Sequence, residues 1–333
     1  MTQERLTLAS QMGEAAAKAM GWLADRVEEL VSGLGGSAPV AASDMTDQQL
    51  LEAVHDVGGR LLNGLAPMIR ETFARLPWST EQGDPRFPHA MPVKVRGHVL
   101  SMATEANDAF WLSLYGLQKY ATVAALGAIR NVAETLAWTA WLLEDTDADV
   151  RRARAYRLTL NAVDSYRSMW KTLEKTAGTS GQAEHLARFE KRMRDSLISM
   201  ASQDGISIPN NPGSVSRLME RYLPAHGGYL LYALLNRAGA HPGPARASQF
   251  YANPATRVID YDFKGLHIVR AYWITQSIRL HTELCQLAAP VLGWTDRWGI
   301  LYERTQREFG PLAAEIERRY REPLEQALAQ VLG

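Results

Sequence analysis

The stretch from Tyr120 to Leu143 constrains this chain more than any other. Val123, Leu126, Ile129, Val132, Leu136, Trp138, Trp141, Leu142 and Leu143 place apolar side chains on nearly every side of a helix, so other helices must enclose it. The same helix carries Arg130 and Glu134, and a charged pair on an enclosed helix demands partners. At about 100° per residue, Gly127, Arg130, Asn131 and Glu134 fall within one arc that Trp138 and Trp141 continue. A helix of this kind belongs at the centre of an all-α multi-helix bundle.

The rest of the chain supplies the enclosing helices. From Thr2 to Leu34, Met12, Ala16, Met20, Leu23, Val27 and Leu30 follow helical spacing, and Gly35, Gly36 and Pro39 end the run. Ser43 or Asp44, with Thr46 and Asp47, offers capping oxygens for a second helix that runs through Leu51, Val54, Leu61, Leu65 and Ile69 before Pro77. Residues 78–94, with Pro85, Pro88 and Pro92, read as a long connection. Residues 95–144 give two helices split near Gly116, and Asp147 or Asp149 caps a fifth that continues to about Lys175. Helices follow over 182–203, 214–240 and 262–289, with one or two more over 296–330 around Gly310 and Pro311. No run alternates long enough to make a strand, and no repeat is visible. The expected organisation is an N-terminal helical hairpin with its Pro-rich connection over 1–92 and a helical core with C-terminal helices over 93–333, together one compact domain.

Composition narrows the function. Lys and Arg number 36 and Asp and Glu also 36, which argues against a strongly basic nucleic-acid sleeve or a polybasic membrane patch and leaves only a local basic pocket. The single cysteine, Cys285, rules out an intramolecular disulfide and any Cys-rich zinc site, and points to a cytoplasmic protein. No secretory signal is visible after Met1, and the apolar passage from Tyr120 to Ile129 is shorter than the roughly 20 residues a membrane span needs. No membrane partner is expected. P-loop and nucleophile-elbow motifs are absent.

Two constellations could carry chemistry. Arg130 and Glu134 could form a polar pocket in which the guanidinium binds an anion, or a buried joint between helices. On PAHGGYLLYALLNRAGAHPG, His226, Tyr229, Leu230, Ala233, Arg237 and His241 project to one side of a helix. An Arg that holds a phosphate beside a His that moves a proton is the minimal kit for metal-independent RNA cleavage, in which the 2′-hydroxyl attacks the adjacent phosphate. Metal chemistry has weaker grounds. Glu52 and His55 form one ExxH unit where a di-metal centre needs two, and His267, Arg270, His281 and Cys285 are spread over too many turns to meet one ion. No metal and no cofactor are expected. HIVRAYWITQSIRLH interleaves Arg270, Tyr272, Trp273 and Arg279, which suits stacking on a flat ligand but equally a helix packed on both faces.

RNVAETLAWTAWLLEDTDADVRRARAY, followed by YLLYALLNRAGAHPG and then by a long helix ending in LAAPVLGW, resembles the uncharacterised bacterial all-helical proteins grouped by the DUF5677 domain, which are similar in layout to HEPN domains. The resemblance covers roughly 95–295. It implies a four-helix-based core, homodimerisation and, for the HEPN group, ribonuclease activity in toxin, antiviral and RNA-processing systems. The HEPN signature is an Arg, commonly followed by a polar residue, with four to six residues before a His. Here Ala238 follows Arg237 and only three residues precede His241, whereas counting from Asn236 would give four.

Two expectations follow. In the first, the chain is a HEPN-like ribonuclease or RNA-binding effector, with Arg237 on phosphate and His241 as acid or base. Arg130, Glu134, Asn131, His226, Tyr229 and Asn236 then support or bind. In the second, it is a non-catalytic helical scaffold or regulator that binds a protein partner or small ligand, and the same groups are polar joints. A nuclease calls for a basic, solvent-open cleft around Arg237 and His241, a scaffold for an exposed apolar patch and paired polar groups.

Overall fold

A computed structural model describes residues 40–75, 94–119, 122–177, 180–240, 250–252, 259–261 and 265–332. The chain divides into two compact units, Met1–Met45 and Thr46–Gly333. Of the first unit, only the segment around a 3-10 turn at Ala42–Asp44 is described. The expected helix over 2–34 and the connection over 78–93 lie outside the described residues.

In the second unit, α1 (Asp47–Arg75) opens with a capping box. The Gln49 backbone N–H donates to Thr46 Oγ1 at 3.2 Å and the Thr46 N–H to Gln49 Oε1 at 2.8 Å, so each residue satisfies a donor of the other. Next come α2 (Val95–Gln118) and α3 (Thr122–Leu143). The break between them falls after Gln118, two residues past Gly116, which is itself buried inside α2. An internal glycine costs a helix only about 1 kcal/mol, and the buried last turn of α2, with Leu114 and Leu117, offsets it. Asp147 caps α4 (Ala148–Ala177), its Oδ1 accepting from the backbone N–H of Asp149 at 2.7 Å and of Val150 at 3.3 Å. Then follow α5 (Ser180–Gln203), α6 (Val215–Tyr222), a 3-10 turn at Pro224–His226 and α7 (Gly228–Ala240).

An antiparallel ribbon, β1 (Phe250–Ala252) and β2 (Ile259–Tyr261), pairs Phe250 with Tyr261 and Ala252 with Ile259. It departs from the expectation of no strand, because three-residue strands are too short to show alternation. The chain closes with α8 (Gly265–Leu292) and α9 (Thr295–Leu332). Gly310 and Pro311 lie inside α9, which is one helix. The carbonyl that Pro311 leaves without a donor belongs to Arg307, an exposed residue, where water can serve it.

Among its described residues, the regular structure of the second unit is helical apart from one short ribbon. α8 packs against α1, α2, α3 and α9, and α3 lies between α2 and the α6–α7 pair. Close helix approach explains Gly58 of α1, where an added Cβ would fall 2.9 Å from the Leu114 methyls of α2. Within this core, Ser113 and Ser277 share a hydrogen bond of 2.8 Å, and Phe110 stacks on His281 with ring centroids 4.5 Å apart. The α4–α5 hairpin has its own smaller core, Tyr156, Leu160 and Val163 against Met193, Leu197 and Met200. Among the described residues, no helix is long and apolar enough to cross a membrane.

Candidate functional site

α3 and α7 meet where the sequence places its charged pair. Arg130 donates through Nε to Glu134 Oε1 at 2.5 Å, the contact its four-residue spacing on α3 permits. Through Nη1 it donates to Asn236 Oδ1 of α7 at 2.8 Å, and its guanidinium carbon sits 5.3 Å from the centroid of the Tyr232 ring. The Arg130 and Glu134 side chains retain 30% and 22% of their exposure. An ion pair this wet contributes about 0.5 kcal/mol, and the bond to Asn236 matters because it is the one that ties α7 to α3.

This arrangement joins three of the predicted site residues: Arg130, Glu134 and Asn236. Asn131 is exposed beside them on α3. Tyr232 was missed, although it stands one turn before Asn236. The face of α7 turned inward holds Leu231, Tyr232, Leu235 and Asn236, whereas the predicted Tyr229 is turned outward, 59% exposed. Arg237 falls in the last turn of α7, and its side chain lies outside the described residues, as does the whole of His241.

His226 follows α6 in the 3-10 turn that leads into α7. The chain reverses there through Gly227 and Gly228, with φ of 90° and 50°. A side chain at Gly228 would also bring its Cβ to 3.2 Å from Glu220 Cα, so only glycine fits without strain. Nε2 of His226 then lies 2.5 Å from Glu283 Oε2 on α8, in an open groove of about 470 Å³ whose lining includes Arg279, Gln286 and Tyr302. His226 is therefore tied to α8, and Arg130 to α7.

A second polar hub went unnoticed in the sequence. Glu144, at the end of α3, accepts from Arg154 of α4 at 3.1 Å, and from Arg221 at 2.5 Å and Tyr222 at 2.9 Å, both of α6. Burial pulls the Glu144 carboxyl upward, but the bonds from Tyr222 and Arg221 outweigh it and hold its pKa below the usual value. Burial and the Glu144 carboxylate push the Tyr222 hydroxyl up to about 12. Three helices are fastened at one carboxylate.

The residues considered for metal divide into two places. His281 and Cys285 are fully enclosed, with Sγ 3.9 Å from Nε2. Burial lowers the imidazole to about 3 and pushes the thiol well up, which makes both neutral core groups. Glu52, His55, His267 and Arg270 do converge, around a cavity of about 220 Å³ between α1 and α8. Arg270 is turned to the C-terminus of α2, donating through Nε to the Leu117 carbonyl and through Nη2 to that of Gln118 at 2.8 Å. Among the described residues, no three His, Cys, Asp or Glu side chains come together as metal ligands would. Set against known proteins, the chain matches no family model, no curated protein and no solved structure.

Proposed function

We propose that this chain is a non-catalytic helical scaffold that pairs with a second copy of itself through the outward face of α7. The observation that carries the reading is an apolar patch on that face: Tyr229, Leu230 and Leu234 are 59%, 64% and 49% exposed. Leu231 and Leu235, with the Arg130–Asn236 bond, fix the opposite side of the same helix to α3, so the patch is presented on a rigid element. A self-complementary patch closes with its own copy about a twofold axis, and a chain whose formal charge is zero has no net repulsion to overcome. The described polar candidates Arg130, Glu134, Asn236 and His226 all have partners within the chain, as joints should. Sedimentation velocity tests this. Wild type should run as a dimer and Leu230→Asp/Leu234→Asp as a monomer with unchanged helix content. A monomeric wild type, or a variant that still dimerises, would defeat the proposal.

A second reading, the HEPN-like ribonuclease, is favoured by one observation: α7 packs on α3 so that Arg130 reaches Asn236, the residue next to Arg237. In that reading Arg237 holds a phosphate and His241 moves protons. The 2′-oxygen bonds to phosphorus as it loses its proton, and the 5′-oxygen leaves with one. Metal-free incubation with labelled RNA and tRNA tests it: cleavage that leaves 2′,3′-cyclic phosphate ends and is lost in His241→Ala supports the nuclease.

A further inference from the structure

α5 shows what a helix looks like when its charges are not used internally. Its inner stripe, Met193, Leu197 and Met200, is buried against α4. Its outer face carries His185, Arg188, Lys191, Arg192 and Asp195 around an open hollow of about 510 Å³. Many of the other described arginines are engaged with carboxylates: Arg60 with Glu308, Arg130 with Glu134, Arg154 and Arg221 with Glu144, Arg319 with Glu315 and Asp47. Even on α5, Arg194 is held by Asp164 at 2.5 Å. Arg188, Lys191 and Arg192 pair with no carboxylate among the described residues. Arg188 and Arg192 each donate only Nε, at 3.3 Å, to the carbonyl one turn back, Glu184 and Arg188 respectively. Those bonds lay the side chains along the helix and leave the terminal nitrogens of both guanidiniums uncommitted.

Three like charges within little more than one turn repel one another modestly, and an external anion relieves that repulsion. We propose that the outward face of α5 is a docking surface for the phosphodiester backbone of a nucleic-acid strand, gripped for its charge and not for its sequence. Arg188 and Arg192 are four residues apart, about 6 Å along the axis, so they address successive anions better than a single one. Guanidiniums also bind phosphate oxygens in pairs. A lipid surface fits less well, because a helix lying on a bilayer needs its apolar stripe beside its cations, and here that stripe is buried against α4. Asp195 and the exposed Glu184 border the patch and limit its strength, which suits a strand held by few contacts. The proposal does not depend on the role given to α7.

Fluorescence anisotropy of the full chain with labelled RNA oligonucleotides of two unrelated sequences, from low to moderate KCl, tests it. Wild type should bind both alike. R188Q/K191Q/R192Q should weaken binding by about tenfold or more and reduce the slope of log K against log salt by about 2, the share of three single-strand phosphate contacts. A control that removes three exposed cations elsewhere, R70Q/R307Q/R321Q, should bind as wild type does. Absence of binding at low salt, a triple variant that binds unchanged, or a control that loses as much would each overturn the proposal. So would capture of polyglutamate or anionic vesicles in place of RNA.

Discussion

α8 and α5 differ by only four residues in length, 28 against 24, yet they solve opposite problems. α8 is enclosed by α1, α2, α3 and α9, and three of its polar side chains are answered inside the bundle: Ser277 by Ser113, Thr275 by the Ala271 carbonyl of its own helix, Arg270 by the end of α2, while the neutral His281 keeps one ring nitrogen without a partner. α5 packs chiefly on α4 and keeps three cations facing outward, paired with no carboxylate among the described residues. Inside a low-dielectric core an unanswered charge is prohibitive, so the fold must consume it. At the surface it costs little, so it stays free for a partner. Charges at the centre of this protein are read as structure, and those at its edge as contact.

The contrast can be broken or sharpened by substitution. Phe110→Ala removes a fully buried ring stacked on His281 and should cost about 3–5 kcal/mol, read as a lowered urea midpoint. Arg270→Met strips the donors from the Leu117 and Gln118 carbonyls and should cost about 2–3 kcal/mol by the same measurement. His281 gives a pH signature. Its folded pKa is depressed to about 3 from an ordinary 6.5, so below 6.5 the unfolded chain takes up a proton that the folded chain refuses. Stability attributable to it should fall by about 1.4 kcal/mol per unit as pH drops from 6.5 toward 3, and His281→Leu should flatten that slope in urea melts. Tyr156→Phe, which deletes the 2.7 Å bond to Asp204 in the hairpin, should cost about 1 kcal/mol. R188Q/K191Q/R192Q should leave thermal stability within about 0.5 kcal/mol of wild type. A large loss there would mean that α5 uses its cations internally, and the comparison would collapse.

Much of this was legible because it is local. An all-round apolar helix announced α3, and the four-residue spacing of Arg130 and Glu134 placed the pair on one face. Asp147 could be read as a cap because a cap acts within its own turn. What escaped depends on distant partners. Glu144 becomes a hub only when α4 and α6 bring Arg154 and Arg221 to it. Tyr232 matters only because α7 turns that side toward Arg130, while Tyr229, chosen for its place near Arg237, faces out. Which side of an amphiphilic helix faces inward is a tertiary decision, and α7, apolar on both sides, left it open. The central catalytic pair of the sequence reading, Arg237 and His241, rests on a side chain and a residue outside the described structure.

Single cysteines offer the most direct test of the scaffold reading, because the native Cys285 is only 2% exposed and stays silent to mild oxidants. Leu230→Cys and Leu234→Cys would be oxidised in parallel with Leu112→Cys and Ile300→Cys, exposed positions on α2 and α9. The account predicts covalent dimers from the two α7 positions and monomers from the other two. Crosslinking at Leu112 or Ile300, or none at α7, would contradict it.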